Sequence, residues 1–164
     1  MGKRKPFYLF VPAVLLALGI LALPAAAQGC GGVTKIEAST FGKGCPGAGA
    51  KPPYLEASLL KGTSSCSLQV EIKAVRWFPN VYFTGWILLV GTHKISFPVI
   101  RPGCTLLVFP LGAFAYDRKT TRVSFPLPND PALLGATVLF QGAAKYVGFY
   151  FGPDLTAGLA VTFK

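Results

Sequence analysis

Six carboxylates, four cysteines and a single histidine are the side chains of this sequence able to enter into chemistry. The acids are Glu37, Glu56, Glu71, Asp117, Asp130 and Asp154. Hydrolysis by paired carboxylates needs two acids held roughly 5–9.5 Å apart across a substrate. Glu37, Glu56 and Glu71 fall on the polar phase of alternating segments, and Asp130 stands where it would cap a helical turn. That leaves Asp117 and Asp154, each in a segment where an acid serves a turn. A nucleophilic triad needs a base beside Ser or Cys, and His93 lies in the polar turn Gly91-Thr92-His93-Lys94. No serine has a G-x-S-x-G context, and Gly42-Lys43-Gly44 lacks the rest of a phosphate-binding loop. An envelope hydrolase would need a polar cleft bringing Asp117 or Asp154 to His93. The residues read instead as a non-catalytic protein with no cofactor and no catalytic or metal site.

The cysteines are Cys30, Cys45, Cys66 and Cys104. None are spaced C-x-x-C, and a solvated turn histidine is a poor fourth ligand, so the pattern does not describe a zinc site. An even count in an exported chain predicts two disulfides. Four cysteines allow three pairings, and spacing does not choose among them.

The N-terminus predicts that compartment. Lys3, Arg4 and Lys5 form a basic region, residues 11–23 an apolar one, and Ala25-Ala26-Ala27 a small-residue cleavage site before Gln28. Residues 1–27 therefore read as a signal peptide, and residues 28–164 as the mature chain, secreted or held in the cell envelope. A retained anchor is the rival, because residues 6–28 carry no charge. That run contains Pro12 and Pro24, and its apolar heart is shorter than the ~20 residues a membrane span needs. Lipidation at Cys30 is another rival, but Ala27-Gln28-Gly29 lacks a lipobox pattern. Membrane contact follows only from one of these two.

With 52% hydrophobic and 13% charged residues, the chain is too apolar for disorder. Nineteen glycines and fourteen prolines without a Gly-X-Y period fit short strands joined by tight turns. The clearest strand is residues 66–73, where Cys66, Leu68, Val70 and Ile72 alternate with Ser67, Gln69, Glu71 and Lys73. Residues 33–38, 54–60, 122–127 and 159–163 alternate too. Residues 86–90 (WILLV) predict a strand buried on both faces. Residues 94–100 predict an edge strand, because Pro98 cannot donate to a ladder; 104–109 and 138–140 complete the set. Between strands, Asp130 as cap, Pro131 at the first helical position and a left-handed Gly135 predict one helical turn. Residues 41–53 and 111–119 read as loops, and 142–156 as a glycine- and aromatic-rich passage. About nine short strands and no amphipathic helix predict a single all-β domain. It is an antiparallel β-sandwich, Ig-like or jelly-roll-like, stapled by disulfides.

The formal charge is +10, and loss of Lys3, Arg4 and Lys5 lowers it to +7. No basic run in the mature chain exceeds Arg118-Lys119, which argues against nucleic acid and for mild attraction to anionic polymers. Aromatic residues gather in two places. One holds Arg76, Trp77, Phe78, Tyr82, Phe83 and Trp86; the other holds Tyr146, Phe149, Tyr150 and Phe151. Trp86, leading an apolar strand, reads as core. Arg76, Trp77, Phe78, Tyr82 and Tyr150 are the candidate ligand-binding residues, since an exposed ring can stack on a sugar and an exposed apolar cluster marks an interaction site. The alternative is that these rings fill the ends of the sandwich.

Four segments fall in a recognisable order: FGKGCPGAG (41–49), GWILLVG (85–91), RPGCTLLVFP (101–110) and FPLPNDPALLGATVLFQ (125–141). Over residues 40–164 they resemble a small secreted domain common in exported proteins of planctomycete-type bacteria. The resemblance implies a module, usually C-terminal in larger exported proteins, with no enzymatic activity assigned. It also implies a Cys45–Cys104 bridge, which leaves Cys30–Cys66. Residues 74–84, where aromatics replace small residues, and 146–155 depart from the pattern. Together these readings describe a non-catalytic structural or interaction module of the cell envelope or extracellular space, partnered by a polysaccharide or another envelope protein. The alternative is a carbohydrate-binding domain using residues 76–83 and favouring anionic glycans.

Overall fold

A computed structural model describes residues 30–45, 52–62, 65–73, 82–99, 103–147 and 154–164. Residues 1–27, which the sequence predicts to be a signal peptide, lie outside the described residues. Every pairing is antiparallel. The largest sheet runs in the order β1 (Ile36–Phe41), β11 (Gly158–Phe163), β9 (Thr137–Val147), β4 (Tyr82–Gly91) and β7 (Gly112–Asp117). The short β10 (Asp154–Leu155) pairs with β9 beyond the reach of β11. A second sheet is formed by β2 (Tyr54–Lys61), β3 (Cys66–Lys73) and β8 (Arg122–Leu127). The hairpin of β5 (Lys94–Pro98) and β6 (Thr105–Val108) is separate from both.

The alternation of β3 sends Leu68, Val70 and Ile72 into the core while Gln69, Glu71 and Lys73 stay at the surface. Opposite them stand Trp86, Leu88, Phe140, Ala144, Val161 and Phe163 of the large sheet. This apolar layer between two antiparallel sheets is the β-sandwich that the sequence predicts. Trp86 is buried as expected, and its Nε1 donates to the Thr120 carbonyl at 2.6 Å, which satisfies its one polar atom. Gly142 faces the second sheet with little room to spare: a Cβ there would stand 3.0 Å from Thr156, 3.3 Å from Leu55 and 3.4 Å from Ile72.

Both disulfides are present, Cys30–Cys66 and Cys45–Cys104, the pairing that the resemblance implies. The first ties the lead-in to the start of β3. The second ties the segment after β1 to the start of β6. Each closes a long loop, with separations of 36 and 59 residues, and such bridges contribute about 2–4 kcal/mol by restricting the unfolded chain.

The connection from β8 to β9 also follows its sequence. Asp130 accepts the Ala132 N–H at 2.9 Å, Pro131–Leu133 form a 3-10 turn, and Gly135 has φ +79°. Asn129, just before, accepts the Gly31 N–H at 2.7 Å and holds the lead-in beside its disulfide.

Five expectations are corrected. Eleven strands occur among the described residues, against about nine expected. The first begins at Ile36 rather than Val33 and runs on to Phe41, because its register is set by β11. Residues 112–117, expected as loop, form β7; Ala113, Phe114 and Ala115 show little polar alternation, and the ladder comes from β4. The strand expected at 138–140 continues to Val147, its glycine and alanines admitting close neighbours. Finally, β4 is not buried on both faces. Trp86 and Leu88 are buried, whereas Ile87 is 44% exposed, pointing to the opposite side of the sheet.

Candidate functional site

Two aromatic segments far apart in sequence meet at one end of the large sheet. β4 begins at Tyr82 and β9 ends at Val147, and these two residues are register partners. Phe83 is next, opposite Tyr146, and their rings meet edge-on with centroids 5.8 Å apart. A bulge at Thr84 interrupts the ladder, and its Oγ1 donates to the Lys145 carbonyl at 3.1 Å. Asp154 enters from β10 opposite Ala144. Burial of the Tyr146 ring, with the Asp154 charge nearby, pushes its phenol up to about 12. Of the candidate ligand residues, Tyr82 is placed at the start of β4. Arg76, Trp77, Phe78 and Tyr150 lie outside the described residues. Phe83 and Tyr146 were visible as members of two clusters, but only the β4–β9 register shows that the clusters share an end.

The acids are spread over the surface. Glu71 and Glu56 are register partners on the wet face of β2–β3, a like-charge arrangement that is unfavourable alone. Lys73 Nζ lies 2.8 Å from Glu71 and 3.7 Å from Glu56, and Arg122 lies 2.8 Å from Glu71. The Lys73 hydrogen bond first, and that from Arg122 second, hold the Glu71 carboxyl below its usual range. Glu37 lies between Lys35 and Lys164. Asp117 accepts the N–H groups of Thr120 and Lys119 at 2.9 and 3.0 Å, and these bonds lower its pKa.

His93 sits in the turn after β4, its Nδ1 2.9 Å from Thr92 Oγ1. Asp117 pairs with Gly85 near the other end of β4, so the strand separates them by roughly 25 Å at ~3.3 Å per residue. Asp154 and Asp117 stand on β10 and β7 with β9 and β4 between, roughly 14 Å apart at ~4.8 Å per strand. The structure therefore does not bring Asp117 to His93 or to Asp154. Among the described residues, no group of three or more His, Cys, Asp or Glu is placed to hold a metal.

Gln141, the last residue of the 125–141 segment, had no role assigned from the sequence, yet it is fully buried. Its Oε1 accepts the Leu107 N–H at 2.8 Å, and its Nε2 donates to the Thr105 and Thr156 carbonyls at 3.1 Å. Both N–H donors and the carbonyl oxygen of this amide are engaged by the fold, so Gln141 fixes the β5–β6 hairpin instead of meeting a ligand.

No family model matches the chain, and neither a curated protein nor a solved structure matches it. All four cysteines are bridged, which suits an oxidising, extracellular-type environment. Among the described residues, no helix is long and apolar enough to cross a membrane.

Proposed function

We propose that this protein is an exported, non-catalytic module of the cell envelope or extracellular space, acting by binding a partner. The observation that carries the reading is the pair of disulfides, each joining a peripheral segment to the sandwich. Such staples are at home outside the reducing cytosol, where the basic and apolar N-terminus would send the chain. The Cys30 sulfur is bonded to Cys66, so a thioether-linked lipid on Cys30 and this bridge exclude one another. The ordered motifs of residues 41–141, with their resemblance to a small secreted bacterial domain, support the same reading.

A second reading, a carbohydrate-binding domain, rests on the two aromatic segments sharing one end of the large sheet, with Tyr82 at the start of β4; Phe83 and Tyr146 themselves pack against the core and fill that end of the sandwich. Lys145 on this end, with Arg118 and Lys119 following β7, would favour acidic chains. Both readings are tested with the mature protein on acidic and neutral polysaccharides, at low and high salt, with Trp77→Ala alongside. Retention that survives salt and is lost in a folded Trp77→Ala variant supports glycan binding. Retention abolished by salt alone is nonspecific charge attraction, and no retention points to a protein partner. Release of new reducing ends would contradict the non-catalytic reading.

A further inference from the structure

β7 is the outermost strand of the large sheet. On one side it pairs with β4 in unbroken register from Gly85 opposite Asp117 to Val90 opposite Gly112. Among the described residues, no strand pairs with its other side. An unpaired edge is a template for another strand, and proteins usually guard such edges with charge, proline or a bulge. Other edges here are guarded, that of β6 (TLLV) by the Gln141 amide. β8 carries Pro126 and Arg122, β5 carries Pro98 and a register break, β1 carries Glu37, and β2 carries Glu56 and Lys61. β7 (GAFAYD) has no lysine, arginine, proline or bulge, and its one charge, Asp117, is at the end. Phe114 is 44% exposed despite its edge-on contact with Phe125, and Ala113 and Ala115 are exposed on the opposite face.

We infer that β7 pairs antiparallel with β7 of a second copy of this chain, joining two large sheets into one across a two-fold axis. The strand suits this occupant because it is complementary to itself. A two-fold axis normal to the sheet places residues of the same face opposite each other. Only two central registers give a long overlap: Phe114 opposite its own counterpart, or Ala115 opposite its own. In the first, ring meets ring at Phe114; in the second, Phe114 meets Tyr116 of the second copy. Cross-strand aromatic pairs of this kind are favourable. Neither register sets like charges face to face, because Asp117 meets Leu111 in the first and Ala113 in the second. The exposed ring that β7 leaves at the sheet edge is thereby covered.

The test is sedimentation velocity of the oxidised mature protein over a wide concentration range, beside the double variant Ala113→Lys, Ala115→Lys. Both substituted positions are exposed, and in either register lysine would face lysine. The expected result is a concentration-dependent dimer for the parent chain and a monomer for a variant of unchanged thermal midpoint. A parent chain that stays monomeric throughout overturns the inference, and so does a folded variant that still dimerises. Hydrogen exchange on the parent chain is an independent readout should the variant fail to fold. The β7 amides exchange more slowly in concentrated than in dilute solution if the strands pair, and equal exchange rules the pairing out.

Discussion

Gln141 Oε1 accepts the backbone N–H of Leu107 at 2.8 Å, so a side chain of β9 serves β6 where a neighbouring strand would. Its Nε2 completes the substitution by donating to the carbonyl of Thr105. The β5–β6 hairpin is thereby fixed on the outer face of the large sheet, with Val108 packed against Leu139 and Ala160. Replacing Gln141 by Leu leaves a buried donor and buried acceptors unmatched, which costs about 1–3 kcal/mol for each group left unsatisfied. Gln141→Glu retains the acceptor but turns a carboxylate oxygen toward two carbonyls, so at neutral pH it destabilises at least as much. Urea denaturation of both variants measures this; a midpoint unchanged in Gln141→Leu would contradict the role given to the amide.

The two bridges differ in what they hold. Removing Cys45–Cys104 by paired alanine substitution releases the start of β6 from the segment after β1. Removing Cys30–Cys66 releases the lead-in, which keeps the Asn129 hydrogen bond to Gly31. Each loss costs about 2–5 kcal/mol. Thermal melts with and without reductant check the sum, and the two double variants check the parts.

Acid sensitivity follows from Glu71. Its folded pKa lies below the usual 4.5, held there by Lys73 and Arg122. A depressed carboxylate contributes stability that is present above the unfolded pKa and lost as pH falls through the folded one. Asp117, held down by the Thr120 and Lys119 amides, acts in the same direction. The denaturation midpoint therefore falls below pH 4.5, and Glu71→Gln flattens part of that fall. The effect is modest, since ion pairs near solvent are screened, and added salt reduces it.

Tyr146 gives a signal at the alkaline side. Its phenol is pushed up to about 12 by burial and by Asp154, so it ionises after ordinary tyrosines, which do so near 10. The folded state prefers the neutral phenol, and stability declines as pH rises above the unfolded value. Burial raises the Tyr116 phenol as well, so spectrophotometric titration shows late-ionising tyrosine absorbance, and Tyr146→Phe removes the part of it near 12. Its persistence in that variant would place the buried phenol elsewhere.

Much of this architecture was legible in the sequence. Alternation along 66–73 set the inner face of β3, and the Asp130, Pro131 and Gly135 signals placed the 3-10 turn. β7 was missed because an edge strand of alanines and aromatics has no polar phase to betray it. The exposure of Ile87 was missed because an apolar run does not tell which face a neighbouring layer leaves bare. The shared end of Phe83 and Tyr146 depends on the register of β4 with β9, a long-range pairing that neither segment encodes alone. The role of Gln141 is non-local for the same reason, since its partners lie on β6 and just after β10.

The export reading with its two staples is tested most directly on the full-length chain expressed in a bacterial host. The protein is recovered from separate cell fractions and its non-reduced peptides are mapped by mass spectrometry. The account predicts an extracytoplasmic protein beginning at Gln28, with Cys30 linked to Cys66 and Cys45 to Cys104. A cytoplasmic protein retaining Met1 and four free thiols would contradict it.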